Sequence, residues 1–294
     1  MFFLAQPPIV RSHTLSGGLW LTVLVSFPRM APELGRIGPI VIRTYALFLD
    51  MAVLAGLGWL AWQGHRIARQ PVAWLDAGLG ALVAGIAAGR LGHAAIHWAY
   101  FSEHPEQIGQ VWRGGLDWHA GVVGGLIGLV LVCRWRGVDF PAALDALAVM
   151  VPVWAALIST GCLMGSCGHG REVSSLADYP PLVAAELPDL YGVVLPRLAS
   201  QLYGIVWAGI VLIITVAALR RINQPGGRFW PVLGLLAGGA FAIGFTRGDA
   251  APMVGALRLD QILDLAIAAL ALLGMWLWAG LPYRLYGPSG FIRR

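Results

Sequence analysis

The side chains most able to do chemistry lie in one short run near the middle of the chain. The run reads WRGGLDWHAG over residues 112–121, and the segment GRLG over 89–92 precedes it. Arg90 or Arg113 can clamp an anion, and His119 is a titratable base beside them. The glycines let two backbones approach closely. We therefore predict a polar site around His119 that faces the interior of the protein.

Three further side chains at the ends of apolar segments can complete this site. Arg43 and Tyr45 lie at the start of one such segment, and Arg247 lies at the end of another. Arginines without matching acids suit the phosphate of a phospholipid headgroup. The alternative is that Arg43, Arg113 and Arg247 only extend from helix ends toward the headgroups of the surrounding lipid.

Two groups of metal-ligand residue types need separate interpretation. His93 and His97 are four residues apart and share one helix face, where they could chelate a metal or form a hydrogen-bonded pair. Cys162, Cys167 and His169 fit no strong metal signature, and a disulfide or a tight turn is the favoured alternative. We predict neither a metal site nor a cofactor.

The composition excludes an ordinary soluble domain. Of the 294 residues, 58% are hydrophobic and 12% are charged, and the mean hydropathy is +0.72. Soluble domains carry about 25% charged residues. The net charge of +5 comes from arginines scattered over loops and helix ends. This distribution indicates orientation in a membrane, not binding to nucleic acid.

Seven apolar segments are long enough to span a membrane, which predicts an all-α, polytopic transmembrane helix bundle. Four of the breaks between and after them are rich in arginine, and the alternate breaks carry most of the acids. By the positive-inside rule, the N-terminus lies outside and the C-terminus lies in the cytoplasm. The predicted segments are 42–63, 76–99, 117–134, 142–163, 198–219, 229–247 and 258–279.

This arrangement divides the chain into three parts. Residues 1–41 form an extracytoplasmic N-terminal arm, 42–282 the seven-span domain, and 283–294 a cytoplasmic tail. Residues 165–197 form a small extracytoplasmic cap within the second part. Charged side chains within the spans are costly unless they face a polar cavity or a partner, so we expect a polar bundle interior.

Ordered motifs across the seven segments resemble the prolipoprotein diacylglyceryl transferase family. IRTY over 42–45 is similar to the family's Ile-Arg-Trp-Tyr, and the runs over 89–92 and 112–121 are similar to its most recognisable block. Leu144-Asp145, SQLY over 200–203 and Arg247-Gly248-Asp249 followed by Gln261 match further motifs. The resemblance covers roughly residues 36–282.

The resemblance implies an enzyme of the bacterial inner membrane. Such an enzyme moves the diacylglyceryl group of phosphatidylglycerol to the cysteine thiol of a lipoprotein signal peptide. His119 and Tyr45 would be catalytic by position. The substrate-binding residues would be Arg43, Arg90, Gly114, Gly115, Gly170, Gln201 and Arg247.

The chain departs from the family at two arginine positions. Ser159 stands where the family has a catalytic arginine, and Ala240 replaces an arginine on the sixth segment. Nearby, Cys162 and Cys167 replace an asparagine and a glutamate, and Gly244 replaces a second glutamate. Two functions therefore stay open. One is a transferase with a rearranged site, and the other is a lipid-binding or scaffold subunit of a membrane protein complex that lacks the activity.

Overall fold

The computed structural model describes residues 32–38 and 40–280, so most of the predicted N-terminal arm and the predicted tail lie outside the described residues. The described part is a helix bundle with three small hairpins. The helices are α1 (Thr44–Ala68), α2 (Pro71–Ile96), α3 (Trp98–Phe101), α4 (Trp118–Arg136), α5 (Phe140–Gly165), α6 (Ser200–Ala217), α7 (Phe229–Gly244) and α8 (Leu259–Gly280). The strands are β1 (Glu33–Ile37), β2 (Ile40–Arg43), β3 (Ala184–Pro188), β4 (Val194–Leu198), β5 (Met253–Val254) and β6 (Leu257–Arg258).

Each of the seven predicted segments is a helix, which confirms the all-α, polytopic membrane bundle. Six helices are long and apolar enough to cross a membrane: α1, α2, α4, α5, α6 and α8. The remaining one, α7, is apolar but has 16 residues and ends at Gly244, three residues before the predicted limit. At 1.5 Å per residue it is about 24 Å long, somewhat shorter than the hydrocarbon core of a typical bilayer.

Local sequence explains where the helices around the site begin and end. Asp117 caps α4, because its Oδ1 accepts a hydrogen bond from the Ala120 backbone N–H at 2.8 Å. The same helix ends at Gly137, which has φ +68°, a conformation that glycine adopts without strain. Pro71 stands at the start of α2, where its missing N–H costs nothing.

The predicted cap contains an antiparallel hairpin of β3 and β4, with Ala184 opposite Leu198. Its central cation is Arg197, which is buried and pairs with Glu172 at 3.1 Å and with Asp189 at 3.3 Å. Hydrogen bonds from the Val193 and Tyr191 backbone, with the nearby charge of Arg197, hold the pKa of Asp189 below its usual range. The cap is thus fixed by a charged group at its base.

The helices pack in pairs, with α1 against α5, α2 against α4 and α7 against α8. The α2–α4 contact is made by backbone. A Cβ atom built on Gly128 would lie 2.5 Å from the Gly80 carbonyl oxygen, and one on Gly124 would lie 2.6 Å from the Ala84 oxygen. This close approach places the beginning of α4, with His119, directly beside the end of α2.

We expect the Gly128→Leu variant to be less stable than the wild-type protein. The added side chain must push α4 away from a backbone carbonyl of α2, and overpacking of this kind costs about 1–3 kcal/mol. The matched control is Gly58→Leu on α1, where a Cβ atom meets nothing within 4 Å. Thermal unfolding in detergent, followed by size-exclusion chromatography, compares the two. Equal Tm values for both variants would contradict the close packing of α2 and α4.

Candidate functional site

A polar cleft of about 160 Å³ lies between the end of α2, the start of α4 and the segment that leads into α8. It is the place where three parts of the chain bring ionisable side chains together inside an apolar bundle. The polar residues that line it are His93, His97, Asp117, Arg247, Asp249, Arg258 and Asp260.

His119 lies behind this cleft, with 4% of its surface exposed. Its Nδ1 is 2.9 Å from Asp117 Oδ2, and its Nε2 is 2.9 Å from Asp264 Oδ1. Carboxylate oxygens only accept hydrogen bonds, so each of the two contacts needs a proton of its own. Both ring nitrogens are therefore engaged. His119 reaches the cleft through Asp117, which lines it.

Asp117 has three structural tasks at once. It caps α4, it binds His119, and its backbone N–H donates to the Gly89 carbonyl at 2.9 Å. Burial by itself would raise the pKa of Asp117. The hydrogen bonds from His119 and from the Ala120 N–H outweigh this effect and hold the pKa below its usual value. The carboxylate is therefore kept ionised at the edge of the cleft.

On the opposite wall, two arginines and two carboxylates form an alternating network. Arg247 binds Asp249 through two hydrogen bonds, of 2.8 and 2.5 Å, and lies 3.2 Å from Asp260. Arg258 contacts the same two acids, at 3.4 Å to Asp249 and 3.0 Å to Asp260. Such pairs fix the guanidinium planes, because the geometry is bidentate.

The network also sets its own charge state. Burial alone would raise the pKa of Asp249, but the hydrogen bond and charge of Arg247 and the charge of Arg258 bring it below its usual value. For Arg247, burial is outweighed by the hydrogen bond and charge of Asp249 and by the charge of Asp260, so its pKa is raised. Arg247 and Asp249 are therefore ionised at neutral pH.

Arg90 occupies a different place from the anion clamp that the sequence suggested. Its buried guanidinium donates to the carbonyls of Gln107 at 2.6 Å, Ile108 at 2.8 Å, Gly114 at 2.6 Å and Gly115 at 3.1 Å. These bonds hold the loop between α3 and α4 against α2. The contacts of this guanidinium are thus made with the backbone of the loop.

Gly114 and Gly115 form the turn that presents these carbonyls. Their φ angles are +83° and +76°, which favour glycine. A Cβ atom on Gly115 would also lie 2.5 Å from His93 Nε2. Any side chain at this position would displace His93 from the wall of the cleft.

A second group of predicted site residues lies at the end of α5. Tyr45 packs on α5, where a Cβ atom on Gly161 or Gly165 would come within 3.3 Å of it, and within the described residues its hydroxyl makes no hydrogen bond. Gln201 is buried and donates to the Cys167 carbonyl at 3.0 Å. Arg43 ends β2 with an exposed side chain.

Gly170 joins this second group to the cleft. It forms a β-bridge with Arg247, and a Cβ atom on it would lie 1.9 Å from the Leu198 carbonyl oxygen, so only glycine fits. Two backbone hydrogen bonds flank the bridge, from Arg171 to Thr246 and from Gly248 to His169, each 2.9 Å long. The strand-like segment after α5 therefore supports Arg247 from behind.

The cysteine and histidine groups are resolved by their contacts. Cys162 and Cys167 form a disulfide, the alternative that the sequence favoured over a metal site. The rings of His93 and His97 are in contact, tilted by 35° with centroids 4.3 Å apart, and His97 Nδ1 lies 3.0 Å from the His93 carbonyl oxygen. Among the described residues, no group of three or more His, Cys, Asp or Glu side chains could hold a metal ion.

Comparison with known proteins covers the same part of the chain that forms the bundle and the cleft. The family model for prolipoprotein diacylglyceryl transferase matches residues 32–278. The chain belongs to this family. Two similar relatives are the phosphatidylglycerol–prolipoprotein diacylglyceryl transferases of Bacillus cereus (strain B4264) and Bacillus mycoides (strain KBAB4). Each is 28% identical over 260 residues, which cover 85% of this chain and 93% of the relative.

Two of the positions at which this chain departs from the family's motifs have neighbours that the structure identifies. Ser159 lies against α6, where a Cβ atom on Gly204 would be 2.7 Å from its Oγ. At Gly244 the space is filled by Gln261, which donates to the Phe241 carbonyl at 3.1 Å and accepts from the Arg258 N–H at 3.0 Å. The cations that line the cleft are Arg247 and Arg258.

Three residues of this site, Arg258, Asp260 and Asp264, were not assigned to it by sequence reasoning. Asp264 lies within the last predicted span, 258–279. An acid inside an apolar segment signals a buried partner, but the sequence did not show that this partner is His119, 145 residues away. Arg258 carried no signal beyond its place at the start of the span.

Proposed function

We propose that this protein transfers the diacylglyceryl group of phosphatidylglycerol to the cysteine thiol of a lipoprotein signal peptide, with release of glycerol phosphate. Family membership over residues 32–278 supports the reaction type. The observation that carries the proposal is the cleft itself. It places two arginines opposite a histidine and the carboxylate of Asp117, and this combination of groups suits both the phosphate and the thiol.

In this proposal Arg247 contacts the phosphate, and Arg258 supports it from the same wall. Asp249 and Asp260 keep the two guanidinium groups in place before substrate arrives, which lowers the cost of ordering them. Each guanidinium has five N–H donors, so donors remain for a phosphate after the acids are bound. The developing negative charge on the leaving phosphate is then stabilised without rearrangement.

The other predicted residues take supporting roles. His119 orients Asp117, since both of its nitrogens are bound, and Arg90 holds the loop that carries Gly114 and Gly115. Tyr45, whose hydroxyl makes no hydrogen bond within the part of the chain that the structure describes, lies near the end of α5. We assign the backbone at Gly170, the amide of Gln201 and the exposed Arg43 to the surroundings of the headgroup.

An apolar groove supports a lipid substrate. It runs along α4 and α8, the same helices that carry His119 and Asp264, and has a volume of about 380 Å³. Leu126 and Val130 line it from α4, and Leu270 and Leu273 line it from α8. An acyl chain in this groove would lie on the helices that form the cleft. Phosphatidylglycerol is therefore the proposed lipid partner, and a lipoprotein signal peptide is the proposed protein partner.

A second candidate function is a lipid-binding or scaffold subunit of a membrane protein complex. It is favoured by Ser159 and Ala240, which replace family arginines, and by the acids that pair with both remaining cations. Loss of one donor that stabilises developing charge typically slows a reaction by about 10²–10³. A protein without these donors can keep the lipid and lose the chemistry.

Expression in cells depleted of their own transferase separates the two functions. We expect the wild-type chain to attach diacylglyceryl to a reporter lipoprotein, and Arg247→Gln to lower the rate by about 10²-fold or more, because a phosphate donor is lost. Mass spectrometry of the reporter measures the attachment. The control is Arg221→Gln, an exposed arginine outside the cleft.

Unmodified reporter in cells that contain folded wild-type protein would contradict the transferase proposal. Phosphatidylglycerol that co-purifies with that inactive protein would then favour the lipid-binding alternative. Equal activity of Arg247→Gln and Arg221→Gln would show that the cleft is not where the phosphate leaves.

We also propose that the cap and the N-terminus face the outside of the cytoplasmic membrane and that the C-terminus is cytoplasmic. The arginines at 65–70, 134–139 and 220–228 support this orientation. In intact cells, a membrane-impermeant maleimide should label Tyr191→Cys in the cap, whose side chain is 89% exposed, and not Asn223→Cys between α6 and α7. The single free cysteine of the described residues, Cys133, is buried and gives no background. The opposite labelling pattern would reverse the orientation.

A further inference from the structure

The histidine that the family resemblance points to cannot take a proton from a substrate in the cleft. His119 is 4% exposed, and each of its ring nitrogens is 2.9 Å from a carboxylate oxygen. A general base must reach the proton that it removes, directly or through one water. In the observed arrangement, Asp117 stands between His119 and the cleft.

His93 does face the cleft. It lies on α2, three residues after Arg90, and lines the same cavity as Asp117, Arg247 and Arg258. Its ring is held by the His97 ring, with centroids 4.3 Å apart, and by the edge of Phe101 at 5.9 Å. Within the described residues, neither ring nitrogen of His93 makes a hydrogen bond. The ring is fixed in position while its nitrogens stay available.

The other ionisable groups of the cleft are already occupied. Asp249 and Asp260 each contact both arginines, and Asp117 binds His119 and the Ala120 N–H. His97 uses Nδ1 for a contact with the carbonyl of His93 and is exposed. Among the described residues that line the cleft, His93 is therefore the histidine with both ring nitrogens open, whereas His97 has only Nε2 open.

We propose that His93 is the general base of this protein, and that His119 is a positioning residue that holds Asp117. The proposal rests on the transferase function proposed above. The thiol of the acceptor cysteine gives its proton to a ring nitrogen of His93. The sulfur then forms a bond to the glyceryl carbon that bears the phosphate.

The carbon–oxygen bond to the phosphate breaks in the same step, and its electron pair stays on the phosphate oxygen. Glycerol phosphate leaves beside Arg247, and the imidazolium of His93 returns its proton to the leaving group or to water. The products are a thioether and glycerol phosphate, and no oxidant or metal is needed. Gly115 permits the arrangement, because a Cβ atom there would lie 2.5 Å from His93 Nε2.

Chemical rescue tests the assignment. Transfer to a synthetic signal peptide is measured with purified protein in vesicles of phosphatidylglycerol. We expect His93→Ala to lose about 10²-fold or more of the rate, as typical for loss of a general base, and added imidazole to restore part of it. His119→Ala is expected to lose activity without rescue, because its site is closed to the solvent. His65→Ala, on an exposed histidine of α1, is the control.

If the wild-type protein is active and the transfer rate of His93→Ala lies within twofold of the wild-type rate, this assignment is wrong. The transferase function then still stands. Rescue of His119→Ala and not of His93→Ala would return the base to His119. Inactive wild-type protein would overturn the transferase function and this assignment with it.

If His93→Ala does not fold, the assignment is tested on the wild-type protein by chemical modification. Diethyl pyrocarbonate modifies histidine nitrogens that are free, so transfer should be lost at the rate at which His93 is modified, with His119 unmodified. Peptide mass spectrometry follows both residues. Loss of activity that follows modification of His119, or that occurs with His93 intact, would overturn the proposal.

Discussion

The position of one imidazole between two carboxylates determines the polar interior of this bundle. His119 and Asp264 are both buried. Among the described residues, the hydrogen bond between these two side chains is the one that joins α4 to α8. Charges inside an apolar bundle are costly unless they are paired. Removal of one member of a buried pair typically costs about 3–5 kcal/mol, because the other charge is left uncompensated. The start of α4 therefore cannot move without loss of this pairing. The pairing thus also fixes the shape of the cleft beside it.

The same rule governs the opposite wall of the cleft. Arg247 and Arg258 are held by Asp249 and Asp260, so that the wall carries equal numbers of positive and negative groups. An ordered wall of this kind binds a phosphate through oriented donors more than through net charge. In the proposed function, such a wall is the phosphate site of a chain that has Ser159 and Ala240 where the family resemblance implies arginines. The transferase and lipid-binding alternatives differ in how strongly this wall stabilises the phosphate.

Much of the fold could be predicted from the sequence, because each apolar segment is long and bounded by arginine, proline or glycine. The limits of α4 were predicted to within two residues, and the structure shows this helix capped by Asp117 and ended at Gly137. The site was predicted less completely. Its glycines and Arg247 were found from local motifs, but the Asp264 partner of His119 comes from 145 residues away, and no local pattern shows which helices meet. The sequence predicted Arg90 as an anion clamp. Its burial and its bonds to four carbonyls arise only when the loop folds, so no local pattern shows them.

A double-mutant cycle on His119 and Asp264 tests most directly whether this buried pairing holds the structure together. The variants His119→Leu, Asp264→Leu and the double substitution are compared by their free energies of unfolding in mixed micelles. If the two side chains depend on one another, each single substitution leaves a buried partner unpaired, and the double variant is more stable than the sum of the single effects by about 1–3 kcal/mol. Effects that add to within about 0.5 kcal/mol would contradict this account.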